Sequence, residues 1–294
     1  MSIPGDKDIP FAVSGTTGAV GGRVAARLAD LGHSQRLIVR DASRAPDFPG
    51  AEAAEASYGD PEAMRRSLEG ANTFFMVSTG EAHDRARQHG DAVDAAVAAG
   101  VERIVYLSFL GASPDATFTF ARDHWHTEEH IRNSGAGFTF LRDSMYLDFL
   151  PGMAGSDGVI RGPAGEGRVA AVARDDIADA AVAVLTSEGH DGLTYDLTGP
   201  EAITFHRLAE ELSLITGREV SYHAETLEEA YESRKEYGAP EWEVEGWVTS
   251  YRAIANGELD VVSSAVGELT GHPPMSLADF LSQHPESYHH LLDG

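Results

Sequence analysis

Short apolar runs and helically spaced apolar residues alternate along the first half of the chain. Residues 11–14 form an apolar run that stops at glycines, which is typical of a buried strand. Apolar residues then recur every three or four positions, as on one face of a helix, at Val20, Val24, Leu28 and Leu31. The pattern predicts a strand, a glycine-containing turn and an amphipathic helix.

The same alternation continues as far as residue 142. Further strands are predicted at residues 36–40, 73–77, 103–108 and 138–142. Helices are predicted between them at residues 60–68, 84–99 and 119–133. Strands that alternate with helices in this way predict an α/β fold of the Rossmann type, with a doubly wound parallel sheet covered on both faces. We assign this fold to a first domain over residues 1–150.

The rhythm of the pattern changes beyond Tyr146. A glycine-rich, hairpin-like stretch spans residues 158–163, and a helix is predicted to begin at Asp175 and Asp176. Residues 226–255 carry many glutamates and several aromatic side chains, which predicts acidic helices with aromatic anchors. We expect a smaller C-terminal α+β lobe over residues 151–294, partly interwoven with the first domain. Its acidic segment is either a lid over a substrate or a solvated cap without a ligand.

The chain is strongly acidic, with a formal net charge of −25 at pH 7. Such a field repels phosphate backbones and anionic lipid surfaces, so neither nucleic acid nor a membrane is expected as a partner. The absence of cysteine excludes disulfides, thiolate nucleophiles and cysteine-bound zinc. Residues 1–8 lack the basic start and apolar run of a secretion signal. We therefore expect a soluble, cytoplasmic protein.

The turn after the first strand carries a glycine at every third position. A helix N-terminus presents unpaired N–H groups and the positive end of the helix dipole, and glycine allows a phosphate to approach the backbone. The spacing G-x-x-G-x-x-G differs from the simplest dinucleotide fingerprint, but it lies between a predicted strand and a predicted helix, as that fingerprint requires. We predict that a dinucleotide pyrophosphate binds at Gly15, Thr17, Gly18, Ala19, Val20 and Gly21. The alternative is a glycine turn without a ligand.

Arg40 follows the second predicted strand. A carboxylate at this position would accept the ribose 2′-OH of NAD, whereas an arginine favours the 2′-phosphate of NADP. Arg40 therefore favours NADP(H) over NAD(H), although the adjacent Asp41 offers a carboxylate to the hydroxyl. The alternative is that Arg40 and Arg44 form ordinary salt bridges in an acidic chain.

With these elements in order, the sequence resembles the NmrA-like family of atypical short-chain dehydrogenases, and most closely the NAD(P)H:quinone oxidoreductase type 2-like proteins. The resemblance covers nearly the whole chain. It is carried by the glycine turn, by Arg40 and Tyr146, by residues 59–70, 99–108 and 124–142, and by a C-terminal signature at residues 251–259 and 269–277.

The resemblance implies further cofactor contacts and two kinds of activity. The residues that it places along the cofactor are Asp60 near the adenine, Val77, Ser78 and Thr79 at the end of the strand predicted at residues 73–77, and Ser108 and Phe109 near the nicotinamide ribose. Members of this family reduce quinones with NADPH, or bind the dinucleotide as redox sensors for partner proteins. Two places depart from the family pattern, namely Asp143 in place of an asparagine and Asp148-Phe149 in place of Glu-Asn.

The expected catalytic helix has no Tyr-x-x-x-Lys pair, which many short-chain dehydrogenases use for proton exchange with a carbonyl or alcohol. Tyr231 and Lys235 match that spacing, but they lie in the acidic segment, and we interpret the match as coincidence. His124 and Tyr146 are the catalytic candidates by their place in the resemblance, and an unperturbed histidine titrates near about 6.5. For His124 a purely structural role is the alternative. Residues 126–130 fit a zinc-peptidase pattern formally, but no third ligand is evident and no metal site is expected.

Two classes of function follow. The first is an NADPH-dependent oxidoreductase that passes hydride to a quinone or a similar flat aromatic carbonyl compound, since that chemistry needs no strong acid or base. The residues expected to stack the acceptor ring are Phe109, Tyr146, Phe149 and Trp242 or Trp247. The second is a non-catalytic redox sensor that acts through a protein partner. An accessory role in aromatic secondary metabolism and a homodimer are also left open.

Overall fold

The computed structural model describes residues 9–292, so the octapeptide for which no secretion signal is expected lies outside the described residues. The chain divides into two units. The first unit contains the described residues up to Phe109, together with Asp123–Arg142 and Ile177–Tyr195. The second unit contains Leu110–Arg122, Asp143–Asp176 and the described residues from Asp196 onward. The chain therefore passes between the units several times. One of these passages, between Arg142 and Asp143, lies near residue 150, where the sequence predicts the end of the first domain.

Strands and helices alternate from residue 9 to residue 143 as the apolar pattern predicts, except for one additional strand, residues 51–55, that follows the second strand without an α-helix between them. The strands are β1 (Ile9–Ser14), β2 (Gln35–Val39), β3 (Ala51–Glu55), β4 (Ala71–Val77), β5 (Arg103–Phe109), β6 (Gly137–Asp143), β7 (Val159–Gly162), β8 (Leu193–Leu197) and β9 (Ser221–Ala224). The α-helices are α1 (Ala19–Asp30), α2 (Pro61–Leu68), α3 (Arg85–Ala98), α4 (Thr119–Ser134), α5 (Arg174–Thr186), α6 (Phe205–Thr216), α7 (Leu227–Arg234), α8 (Glu241–Ala255), α9 (Ala265–Thr270) and α10 (Leu277–Gln283).

One sheet has the strand order β3-β2-β1-β4-β5-β6-β8. β1 pairs in parallel with β2 on one side and with β4 on the other, so that Ala12 lies in register with both Arg36 and Phe74. The direction of strand succession reverses between β1 and β4, and ligands of doubly wound sheets bind outside the carboxyl ends of the strands at that point. The predicted Rossmann fold is confirmed, and its switch point lies at the glycine turn after β1.

The core of the first unit explains why this order is stable. The central strands are buried on both faces, which is why their sequences are continuous apolar runs. Fully buried aromatic side chains of β4, β5 and β6 pack in one cluster, with helices α2 and α3 covering it, and its largest members are Phe74, Tyr106 and Phe140. Met64 and Leu68 of α2 and Val93 and Ala96 of α3 complete the cluster.

In the second unit, the hairpin-like stretch predicted at residues 158–163 contains β7, and an antiparallel bridge joins Ala154 to Ile160 across a turn at residues 155–158. β7 also pairs in parallel with β9, with Ile160 in register with Tyr222, and Gly162 lets the ring of Tyr251 from α8 lie against the strand. A Cβ at Gly162 would lie 2.1 Å from that ring. No helix among residues 9–292 is long and apolar enough to cross a membrane.

Candidate active site

The glycine turn leaves β1 through a backbone that only glycine adopts easily. Gly15 has φ +65°, in the left-handed region, and a Cβ there would lie 3.0 Å from the Cβ of Val77 at the end of β4. Gly15 therefore permits both the sharp turn and the close approach of the two neighbouring strand ends. This contact brings Val77, one of the predicted cofactor residues, directly against the turn.

Helix α1 begins at this turn without a side-chain cap. Its N-cap is Gly18, which has no side chain to cap the helix. The amide of Gly18 donates to the carbonyl oxygen of Gly15 at 2.8 Å. A Cβ at Gly21 would lie 2.5 Å from the carbonyl oxygens of Ser14 and Gly15, so this glycine is required for packing α1 on β1. The hydroxyl of Thr16 is buried without a hydrogen-bond partner in the described chain. An uncapped helix start and an unpartnered hydroxyl fit an anionic ligand such as a pyrophosphate.

The predicted pyrophosphate residues divide into two groups by exposure. Gly15, Thr17, Gly18 and Ala19 are exposed, so their backbone is accessible to a ligand. Val20 and Gly21 are buried against the sheet, and they support the turn from beneath. The sequence motif therefore contains both an accessible backbone segment and the residues that pack beneath it.

Arg40 and Asp41 follow β2, the strand next to β1. Arg40 is exposed and forms no hydrogen bond or ion pair with any described residue. The carboxylate of Asp41 accepts hydrogen bonds from the amide and the hydroxyl of Ser43, at 2.9 Å and 2.6 Å. These bonds cap a short 3-10 turn over Ala42–Arg44 and lower the pKa of Asp41. The guanidinium is thus available to a ligand, whereas one oxygen of the carboxylate is already used.

The ends of β1 and β4 are joined by a buried hydroxyl pair. Ser14 and Tyr58 share a hydrogen bond of 2.6 Å, and the Tyr58 hydroxyl also lies 2.8 Å from the carbonyl oxygen of Val77. The amide of Val77 donates to the Ser14 hydroxyl at 2.9 Å. Burial raises the pKa of Tyr58, so the phenol stays protonated. Asp60, expected near the adenine, caps α2 by accepting from the amide of Ala63 at 3.0 Å.

The segment after β4 is held by His89 of α3. Nε2 of His89 accepts from the amide of Thr79 at 3.1 Å and lies 3.2 Å from the Thr79 hydroxyl. Burial, with a smaller contribution from Arg85, lowers the pKa of His89 to about 3. A neutral, fully buried ring therefore fixes Thr79, while Ser78 beside it is partly exposed. Sequence reasoning missed His89, because a histidine on an amphipathic helix carries no signal of burial.

Ser108, near the end of β5, is hydrogen-bonded to a buried carboxylate. Its hydroxyl donates to Oε1 of Glu128 at 2.6 Å. Glu128 has no exposed side-chain surface and also binds Arg142 at 2.6 Å and Arg132 at 3.0 Å. The next residue, Phe109, is partly exposed, and its ring centroid lies 6.1 Å from that of His124. Of the pair expected near the nicotinamide ribose, Phe109 has the more accessible side chain.

The imidazole of His124 on α4 is buried and bonded at both ring nitrogens. Nδ1 lies 2.9 Å from the hydroxyl of Tyr106, and Nε2 lies 2.9 Å from a guanidinium nitrogen of Arg85. Burial, followed by the charges of Arg85, His89 and Arg142, lowers the pKa of His124 well below 6.5. The titration near 6.5 of an unperturbed ring therefore does not apply to this histidine.

Tyr146 lies in the second unit, in an aromatic group with a cation. Its hydroxyl donates to the buried carboxylate of Asp143 at 2.7 Å, and its ring stacks on Phe149 with centroids 5.6 Å apart. The guanidinium of Arg174 lies 4.9 Å from the centre of the Tyr146 ring and 4.2 Å from that of Phe149. Asp148 accepts from the amide of Arg174 at 3.2 Å. The acidic residues that depart from the family pattern thus position this group.

The second unit also contains an open cleft of about 950 Å³. Its aromatic walls are Tyr237, Trp247 and Tyr251, and the ring centroids of Tyr237 and Trp247 lie 6.0 Å apart at 90°. Trp242 instead packs on Phe120, with ring centroids 6.1 Å apart. Of the two tryptophans considered for ring stacking, Trp247 is the one that lines this cleft.

Residues of the Tyr-x-x-x-Lys match and of the zinc-peptidase pattern pair with carboxylates in the structure. The Tyr231 hydroxyl donates to Glu245, and the Lys235 ammonium pairs with Glu232, so each is held by a carboxylate. His130 pairs with Asp94 at 2.7 Å. Among residues 9–292, no group of three or more potential ligands is arranged to hold a metal ion.

Comparisons with known proteins identify the family of the chain. A family model described as NAD(P)H-binding matches residues 15–188. The chain is 34% identical to (4-alkanoyl-5-oxo-2,5-dihydrofuran-3-yl)methyl phosphate reductase of Streptomyces griseus, over 94% of this chain and 98% of that protein. It is 32% identical to quinone oxidoreductase 2 of Escherichia coli, over 92% of this chain and 97% of that protein.

The solved structures include the NADPH-dependent quinone oxidoreductase QOR2 of Escherichia coli in complex with NADPH. It superposes with a TM-score of 0.86 at 31% identity, and the match covers 93% of this chain and 99% of that one. The resemblance found in the sequence is confirmed. The chain therefore belongs to the NAD(P)H-binding family and is an NAD(P)H-dependent oxidoreductase.

Proposed function

We propose that this protein reduces a quinone, or a similar flat aromatic carbonyl compound, with NADPH as the hydride donor. The observation that carries the proposal is similarity along almost the whole chain to reductases whose named acceptors are a quinone and an unsaturated furanone. Both acceptors are flat, conjugated and carbonyl-containing. NADPH supplies the hydride to such an acceptor, and a proton from water completes the two-electron reduction.

The preference for NADPH over NADH is part of the proposal. Arg40 has an exposed guanidinium without a partner among residues 9–292, and it follows the strand next to the one that carries the glycine turn. Guanidinium groups bind phosphate oxygens in a bidentate manner, which suits the 2′-phosphate. Asp41, the group that would suit a ribose hydroxyl, is engaged with Ser43.

The proposed roles of His124 and Tyr146 differ from simple acid catalysis. His124 is neutral and bonded at both nitrogens, so we assign it to positioning Phe109, its ring neighbour. Tyr146 and Phe149 form a stacked pair beneath the charge of Arg174, and Phe149 is 54% exposed. We propose that this pair offers a face to the aromatic ring of the acceptor. Quinone reduction tolerates the absence of a dedicated acid, because protons reach the reduced product from water.

The test is the loss of NADPH absorbance with a panel of quinones, beside calorimetric titrations of NADPH and NADP⁺. Turnover with quinones, and a higher kcat/KM with NADPH than with NADH, is the expected result. Absence of turnover with every quinone, combined with a large difference in affinity between NADPH and NADP⁺, would overturn the proposal in favour of the redox sensor.

A further inference from the structure

Arg85 is a buried cation whose pairing is incomplete. It is 5% exposed at the start of α3, and its Nε has no hydrogen-bond partner in the described chain. The nearest carboxylate oxygen, on Asp123, lies 4.0 Å away, which is the outer limit of an ion pair. Arginine stays protonated in proteins, so this charge is permanent. Its short polar contact is with Nε2 of His124 at 2.9 Å.

The chemistry of this contact determines where the proton of His124 lies. A guanidinium has only N–H donors, so Nε2 of His124 must be the acceptor and carries no proton. The single proton of the neutral ring is then on Nδ1, which donates to the Tyr106 hydroxyl at 2.9 Å. Protonation of Nε2 would place two donors 2.9 Å apart and break the contact with Arg85.

The neighbouring histidine obeys the same logic. Nε2 of His89 accepts from the backbone amide of Thr79, so its proton is on Nδ1. Nδ1 donates to the Thr127 hydroxyl at 2.9 Å. That hydroxyl in turn donates to the backbone carbonyl of Asp123 at 2.8 Å. Both histidines are thus neutral rings with the same tautomer, and Arg85 carries a permanent charge beside His124.

We propose that Arg85 is a positioning residue that locks His124 as a neutral ring with its proton on Nδ1. In this state His124 does not deliver a proton from Nε2, because that nitrogen is occupied by a donor. It follows that a reduced acceptor receives its proton from a group other than His124, and this consequence rests on the proposed function. The assignment of the tautomer does not rest on it. The charged and titratable groups around the ring are Arg85 and His89 on α3, Tyr106 on β5, Arg142 on β6, and Asp123 and Glu128 on α4.

The test is a long-range ¹H–¹⁵N correlation spectrum of histidine-labelled protein, with His124 assigned by the signal lost in His124→Gln. We expect a pyrrole-type shift at Nδ1 and a pyridine-type shift at Nε2, with no change between pH 8 and pH 5. Arg85→Lys, which keeps a donor, should retain this pattern. Arg85→Met should add a second population with the proton on Nε2 and should raise the pH at which the ring titrates. Arg87→Met is the matched control, because Arg87 is an exposed arginine on the same helix.

Two results would overturn the proposal. One is a wild-type spectrum in which His124 carries its proton on Nε2 or titrates near the usual pH, and this result does not depend on whether any variant folds. The other is an Arg85→Met protein that folds and keeps the wild-type tautomer. Neither spectrum requires turnover, so failure of the proposed quinone reduction is recognised separately, by the absorbance assay.

Discussion

The carboxylate of Asp41 is held by Ser43 through two hydrogen bonds of 2.9 Å and 2.6 Å, while the guanidinium of Arg40 beside it has no partner among the described residues. This difference between adjacent residues bears directly on cofactor choice. A carboxylate that caps its own turn is less available to a ribose hydroxyl, and a free guanidinium is available to a phosphate.

Arg40→Ala should weaken NADPH binding far more than NADH binding. One charge-assisted contact contributes about 1.5–3 kcal/mol, which corresponds to roughly 10- to 150-fold in affinity. The measurement is the ratio of the two dissociation constants by calorimetry, with Arg44→Ala as the control. Equal losses for both cofactors would remove Arg40 from the 2′-phosphate site.

Gly18→Val should abolish dinucleotide binding while the protein stays folded. Gly18 has φ −99°, which any residue adopts, and a Cβ there would lie 3.1 Å from the nearest atom, the Gly15 carbonyl oxygen. The added side chain would instead occupy the space in front of the helix start. Calorimetry with NADPH measures the loss, and circular dichroism confirms the fold.

Gly21→Ala provides the contrasting variant at the same turn. Its Cβ would lie 2.5 Å from two backbone carbonyl oxygens, so α1 must move and the melting temperature should fall. A folded Gly18→Val protein that still binds NADPH tightly would show that the turn has only a structural role.

The sequence predicted the elements whose apolar pattern is strong and missed those that depend on distant partners. β1, β4, β5 and β6 are buried runs, and α2 carries the signals of an N-cap aspartate and a first-turn proline. Ala51–Glu55 was missed as a strand because it is an edge strand made of alanine and glutamate, residues that are depleted in strands. The partner of β7 was missed because β9 lies far along the chain and no local turn specifies it.

The site was predictable where a motif forces backbone geometry and unpredictable where burial decides. The glycines of the turn indicate a close approach at the backbone, and the structure shows such an approach within the protein: Gly15 lies against Val77, and Gly21 lies against the carbonyl oxygens of Ser14 and Gly15. Arg85 and His89 were missed because polar residues on an amphipathic helix are usually solvated. Only the tertiary fold shows that both point into the protein.

Glu128→Ala should destabilise the protein by about 3 kcal/mol or more. This carboxylate has no exposed surface and binds Ser108, Arg132 and Arg142, and removal of one partner of a buried ion pair typically costs about 3–5 kcal/mol. Partial exposure of both arginines places the expected value at the low end. The free energy of unfolding in urea is the measurement.

Glu129→Ala is the matched control for this prediction. Glu129 pairs with Arg132 at the surface, and 40% of the Glu129 side chain is exposed. A surface ion pair of this kind contributes about 0–1 kcal/mol to stability. Similar losses for the two variants would mean that the buried carboxylate does not stabilise the ends of α4 and β6.

The stability of the protein should fall as the pH is lowered from about 6.5, because of His89. Burial lowers its pKa to about 3 in the folded state, so the unfolded chain binds a proton that the folded chain does not throughout this interval. The stability that comes from keeping His89 neutral is fully present above the pKa of the histidine in the unfolded chain. It is lost progressively as the pH falls from there to the pKa of His89 in the folded protein. One such proton corresponds to about 1.4 kcal/mol per pH unit. His89→Gln should reduce the pH dependence of the unfolding free energy by that amount between pH 6 and pH 4. The control is His126→Gln, at an exposed histidine. A slope that is the same in wild type and His89→Gln would show that His89 binds a proton as readily in the folded protein as in the unfolded chain at these pH values.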